Sequence, residues 1–167
     1  MTTRAIFNRK YESYTPGTTE VWLLNGAGVT TSLTSTQTFT AGAPVIQGDV
    51  VYVSGTYVLP ASAASGVAAV KYNAIGVTAA AASTSSGVSV VLDNVAVISS
   101  TNLIGETQLV PGAYYYLSKY SGKLTQYSTT SGVVSASGGY TALVNIGQAL
   151  SPTELEVEIE PPVVLYD

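Results

Sequence analysis

One pattern of strand signals occurs twice along this chain, and a duplicated pattern constrains a fold more tightly than any single segment does. The first copy opens at Gly48, passes through Tyr52-Val53-Ser54 and Ile75-Gly76-Val77, and closes in Val88-Ser89-Val90-Val91-Leu92. The second opens at Gly112, passes through Tyr116-Leu117-Ser118 and Ile146-Gly147-Gln148, and closes in Leu155-Glu156-Val157-Glu158-Ile159. Gly, Tyr and Ser hold the same relative positions in both, while the later strands drift by a few residues, as loops of unequal length would cause. The pattern predicts two similar β units forming a compact barrel or sandwich.

The remaining segments are consistent with that class. Val50-Val51-Tyr52-Val53 is β-branched and aromatic, Val88 to Ile98 reads as two short strands around Asp93-Asn94, and Thr153 to Glu160 reads as the last long strand, stopped by Pro161-Pro162. Val67 to Val70 and Ala74 to Val77 read as further β segments. No stretch keeps apolar residues at helical spacing, and Ala79–Ala82 is too short to nucleate a helix. The expected class is all-β. The predicted organisation is an N-terminal arm and hairpin over 1–45, a body over 46–160 and a short tail over 161–167. Within the arm, Glu20-Val21-Trp22-Leu23-Leu24 reads as a strand turning at Asn25-Gly26. Thr30 to Thr40 reads as an extended piece that a neighbour would order.

Composition removes whole classes of chemistry. The 167 residues include no cysteine and no histidine, which takes away disulfides, thiolate nucleophiles, the usual general base and the commonest metal ligand. Without histidine a Ser triad has no base, and no Gly-x-Ser-x-Gly elbow is present. The net charge of −4 and six basic residues argue against nucleic acid as a partner. The Val67–Ala82 run is broken by Lys71 and Asn73, so no membrane span is expected. Nor does the N-terminus carry a secretory signal, which predicts a protein made in a cytoplasm and leaving it only within a particle. Charged residues make up only 10% of the chain, against about 25% in an average soluble protein. Such a surface suits a permanent assembly better than free diffusion.

The candidate sites are correspondingly few. Glu154, Glu156, Glu158 and Glu160 alternate with Leu155, Val157 and Ile159, so a strand would place the four carboxylates on one face and the aliphatic side chains on the other. This acidic stripe is a solvated face or an inter-subunit contact for Arg4, Arg9 and Lys10. It is a poor calcium site, because side chains along one straight strand cannot surround an ion. Glycoside hydrolysis needs two carboxylates roughly 5 to 9.5 Å apart across a cleft. Beyond the stripe the body offers only Asp49, Asp93 and Glu106, each explained by turn chemistry. No catalytic, metal or cofactor residue is expected, and Gly26-Ala27-Gly28 reads as a turn. Of the 12 tyrosines, Tyr114 and Tyr116 should share one face of a strand and Tyr115 the other.

At Gly48, Tyr52, Ser54, Ile75-Gly76-Val77, Pro111-Gly112, Tyr116-Leu117-Ser118 and Ile146-Gly147-Gln148-Ala149-Leu150-Ser151, the sequence resembles small β-rich virion proteins of tailed bacteriophages. The similarity is to capsid decoration (cement) proteins and to the β modules of tail fibres. It covers about two thirds of the chain, and no residue in it is catalytic. The resemblance implies a structural protein, a homotrimer, that binds the major capsid protein of an assembled shell, is located on the virion surface and is assembled in the host cytoplasm. The expected contacts are Arg4, Phe7, Arg9, Lys10, Tyr11, Tyr14 and Trp22, with the aromatic anchors dominating. The alternative is a tail-fibre or appendage module recognising a host-surface glycan through exposed tyrosines. The chain is short and reads as complete from its Met, which favours the first.

Overall fold

A computed structural model describes residues 35–129 and 132–165. These residues form thirteen strands: β1 Ser35–Ala41, β2 Val50–Ser54, β3 Tyr57–Pro60, β4 Ala74–Thr78, β5 Gly87–Val97, β6 Tyr114–Leu117, β7 Leu124–Thr125, β8 Ser128–Thr129, β9 Gly132–Val133, β10 Ala142–Leu143, β11 Asn145–Ala149, β12 Glu154–Val157 and β13 Val163–Val164. Two 3-10 turns, Ala69–Tyr72 and Ser100–Asn102, are the only helical pieces among the described residues. The all-β expectation holds. Val67–Val70, read from sequence as a β segment, instead leads into the first 3-10 turn, since no neighbouring strand pairs with it.

Nine strands form one sheet in the order β1-β3-β2-β4-β5-β12-β11-β6-β7, and β1 also pairs with β5. That extra pairing closes β1, β3, β2, β4 and β5 into a five-stranded barrel. The closing strand β1 runs parallel to β3, with Thr40 opposite Tyr57 and Ala41 opposite Val58. Residues 35–41 lie in the stretch read as an arm awaiting a neighbour, yet they are ordered by the chain's own β3 and β5. Likewise β13, in the segment read as a tail, pairs antiparallel with β10.

A second ring follows the first and shares β5 with it. The first part of β5 pairs with β4 through Val90 and Val91, and its last part pairs with β12 through Asn94 to Val97. Between them Asn94 takes φ +102°, and its side-chain Oδ1 accepts the Val95 N–H at 2.7 Å. The Asp93-Asn94 signal that suggested two strands therefore marks a kink within one, where β5 changes partners. From β12 the ring continues through β11, β6 and β7, and Leu103, just past the end of β5, pairs in parallel with Leu124. The first ring is closed by ladders and the second by this single bridge.

Three backbone hydrogen bonds recur at matching positions of the two copies. Gly48 N–H donates to Thr78 O at 2.9 Å, and Gly112 N–H donates to Ala149 O at 2.7 Å. Thr78 N–H donates to Asp49 O, and Ala149 N–H donates to Ala113 O, both at 2.9 Å. Gly42 N–H reaches Val58 O at 2.8 Å, as Ile104 N–H reaches Leu124 O at 3.0 Å. The Ile-Gly pair of each copy sits at a bulge: the register slips between Val51 and Tyr52 opposite Gly76 and Ala74, and between Tyr115 and Tyr116 opposite Gly147 and Asn145. The extra residue is Ile75 in one copy and Ile146 in the other. The glycine that follows presses on the next strand, where a Cβ at Gly76 would overlap Val91 O and one at Gly147 would overlap Glu156 O. These contacts align Val91 with Glu156, and hence Val90 with Leu155. Sequence alone had aligned Val88 with Leu155, an error of two residues that leaves every side chain on its correct face.

The interiors are filled differently. Ala41, Val45, Val51, Val58, Val88 and Val90 cluster in the first ring, with Phe39, Ile75, Ala82 and Leu92 packed on them. At the matching positions of the second stand Leu103, Leu109, Tyr115, Leu124 and Leu155, part of a larger cluster that also takes in Val50, Tyr52 and Val77 from the first ring's strands. The larger cluster thus joins the copies, while the interior of the first ring forms a cluster of its own.

Gly147→Ala is expected to destabilise the protein by about 2–3 kcal/mol, because backbone cannot yield as a side chain would. Gly55→Ala, at φ +62° with nothing within 4 Å of a Cβ, is expected to cost only about 1 kcal/mol. Urea midpoints at unchanged slope measure both, and equal losses would refute the close-approach account.

Candidate functional site

Charged side chains are so scarce here that each buried one marks a place where the fold spends polar groups deliberately. Asp49, 6% exposed, follows Gly48 at the entry to β2. Its Oδ1 accepts from Lys123 Nζ at 2.9 Å and from Asn102 Nδ2 at 3.2 Å, and its Oδ2 accepts from Ile46 N–H at 3.0 Å. The Asp49 N–H donates to Thr78 Oγ1 at 3.0 Å, and Thr78 Oγ1 donates to Ile46 O. Asn102, fully buried, uses its Oδ1 to accept from the Ser99 N–H and hydroxyl. The cluster gathers the first copy's entry turn, the 3-10 turn after β5 and the β6–β7 hairpin. Gly48 and Gly122 leave it room, since a Cβ on Gly48 would strike the Asn102 amide. Sequence reasoning assigned Asp49 to a turn, and the Ile46 bond is that turn. It missed Lys123, for which the only available signal was the rarity of charge, and Asn102, for which there was none.

A second polar node lies under the 105–110 loop. Tyr115, wholly buried, donates from its hydroxyl to Glu106 Oε2 at 2.6 Å and accepts from Val110 N–H at 3.0 Å and Gln126 Nε2 at 3.1 Å. Burial, then the hydrogen bond to Glu106, pushes the Tyr115 hydroxyl above the usual tyrosine range. Gly105, Glu106, Thr107, Gln108 and Val110 line an open depression of about 550 Å³ above it. With Glu106 held by Tyr115 and Asp49 held by Lys123 and Asn102, these carboxylates serve structure. Among the described residues no three His, Cys, Asp or Glu side chains converge as a metal site, and no helix is long and apolar enough to cross a membrane.

The outer surface carries the rest. Tyr114 and Tyr116 share the outer face of β6 while Tyr115 points into the core, as period two requires. Tyr116 meets Tyr127 edge-on at 6.2 Å between ring centroids. Lys119 Nζ sits 5.8 Å from the Tyr120 ring and 5.7 Å from the Tyr140 ring, and donates to Gly138 O at 3.0 Å. Leu155 and Val157 of β12 are buried and Glu154 and Glu156 exposed, as alternation in a strand implies, while Glu158 and Glu160, also exposed, lie past the end of β12. Arg4, Phe7, Arg9, Lys10, Tyr11, Tyr14 and Trp22 lie outside the described residues. The chain matches no protein-family model and no curated protein.

Two outcomes test these nodes. Asp49→Ala strands the Lys123 ammonium, the Asn102 amide and the Ile46 N–H, and is expected to cost about 3 kcal/mol in chemical denaturation; a loss under 1 kcal/mol would refute the node. Tyr115 has a folded-state pKa raised above its unfolded value of 10.0, so its stabilising contribution is complete below pH 10 and is lost as pH rises through the folded value. Tyr115→Phe should therefore lower stability at pH 8 by about 1–2 kcal/mol and flatten the alkaline decline. An alkaline limb identical to that of the parent would contradict this.

Proposed function

We propose that this chain is a structural virion protein, a decoration protein that attaches to an assembled capsid shell and stabilises it. The observation that carries the reading is the character of the described surface. Among the described residues thirteen large apolar side chains are exposed, from Ile46 and Val53 to Val163 and Val164, against six exposed charged ones, Lys71, Asp93, Glu154, Glu156, Glu158 and Glu160. Scattered apolar residues are normal on any protein; so many beside so few charges suit a surface covered in an assembly. The rigid double ring is a body for display, and the chemistry-bearing groups inside it are engaged in holding it together. In this reading Arg4, Phe7, Arg9, Lys10, Tyr11, Tyr14 and Trp22 contact the major capsid protein or a neighbouring copy. Three tethered segments on a homotrimer would make the later contacts effectively intramolecular and slow to dissociate.

A second reading, a fibre module that binds a host-surface glycan, draws on Tyr114, Tyr116 and Tyr127 lying near the Gln148 amide. Aromatic faces next to amides are the groups a sugar would need.

Deleting residues 1–20 separates the two. The truncated protein, with circular dichroism still that of a sheet protein, is expected to lose binding to purified particles under the decoration reading and to keep glycan or cell binding under the fibre reading. Full particle occupancy by the truncated protein would overturn the decoration reading.

A further inference from the structure

The outer face of the β5–β12–β11–β6 sheet combines two properties that rarely occur together. Cross-strand pairing lays Val95, Glu156, Gln148 and Tyr114 in one row, with Val97 beside Glu154 in the next. Val95, Val97, Tyr114 and Leu150 are 37%, 49%, 52% and 49% exposed. Among the described residues the carboxylates of Glu154, Glu156 and Glu158 have neither a hydrogen bond nor an ion pair. None of the three described lysines supplies their counter-charge: Lys123 is held by Asp49, Lys119 by Gly138 O and two tyrosine rings, and Lys71 makes no ion pair.

An apolar strip flanked by unpaired carboxylates disfavours a copy of itself, since face-to-face pairing would set acid against acid. It fits a partner that is both cationic and aromatic. The chain carries one such segment: Arg4, Arg9 and Lys10, half of its six basic residues, interspersed with Ile6, Phe7, Tyr11 and Tyr14. We propose that this sheet face is the docking surface for the Arg4–Tyr14 segment of a neighbouring copy, with Phe7 and Tyr11 on the valines and Tyr114, and with the basic side chains on Glu154, Glu156 and Glu158. The inference rests on the assembly reading above and names what the segment touches within it. In a multi-copy coat each neighbour presents its segment at high effective concentration, so individually weak exposed ion pairs add to a durable contact.

The test uses the full-length chain without particles. Copies labelled with 14N and 15N are mixed, treated with a zero-length carbodiimide and digested. Lys10 is expected to appear in mixed-isotope cross-links to Glu154, Glu156 or Glu158, at yields that fall severalfold in about 1 M salt, where the screening length is near 3 Å. Val95→Ser with Val97→Ser keeps every carboxylate and should lower the yield about fivefold or more, as should Arg4→Gln with Arg9→Gln. Absence of Lys10 cross-links to this strand, cross-links confined to one isotope, or a yield indifferent to the valine substitutions would each overturn the proposal. If the cross-links are absent while deletion of residues 1–20 still abolishes decoration, this inference fails and the shell-binding reading stands. The reverse result would spare this contact and remove that reading.

Discussion

The Asp49 carboxylate is the point at which the two copies are held in register. Apolar contact between the rings is extensive but non-directional, and a shared core of Val, Leu and Tyr could in principle tolerate small rotations. The carboxylate accepts from Lys123 on the second copy, Asn102 on the connecting turn and Ile46 on its own turn, and these three directions fix one arrangement. A buried ion pair is a weak source of net stability, because desolvation offsets the attraction. Its effect here is to select one packing. Asn102 is itself fully buried and bonded on both ends of its amide, so displacing any member leaves another with an unmet polar group.

Around that point the duplication has diverged in an orderly way. The backbone features are kept in both copies: the positive-φ glycine at the strand entry, the bulge at Ile-Gly and the glycine lying against the next strand. The side chains that fill the rings have changed, with Val51 matched by Tyr115 and Ala41 by Leu103. A Tyr inside a ring brings a hydroxyl that must be satisfied. Glu106, Gln126 and the Val110 N–H meet that need, and none has a counterpart role in the first copy. The connection after β5 changed too, from a full strand in β1 to a 3-10 turn and one bridge.

Much of this was legible in the chain because strand periodicity and glycine placement are local. The all-β class, the placing of Tyr115 on the face opposite Tyr114 and Tyr116, and the outward Glu154 and Glu156 of β12 all follow from period two. What was not legible depends on partners far apart in sequence. Nothing near residues 35–41 says that they close a ring in parallel with β3, since a Ser/Thr-rich stretch with Phe39 reads equally well as an arm. The Asp49–Lys123 pair spans 74 residues, and no local signal links its ends. The two-residue error in aligning Val88 with Leu155 arose because β5 is longer than β12 and serves both rings, which a simple repeat cannot express.

Closure of the rings has a consequence for how this protein keeps itself apart from its own kind. Sheet proteins commonly guard exposed ladder edges with lysine or other charges, and this chain has few to spare. Wrapping β1 onto both β3 and β5 turns hydrogen-bonding edges inward, so the first ring offers no template along which another chain could polymerise. Topology takes over a task that electrostatic repulsion performs elsewhere, which leaves the surface free to carry few charges.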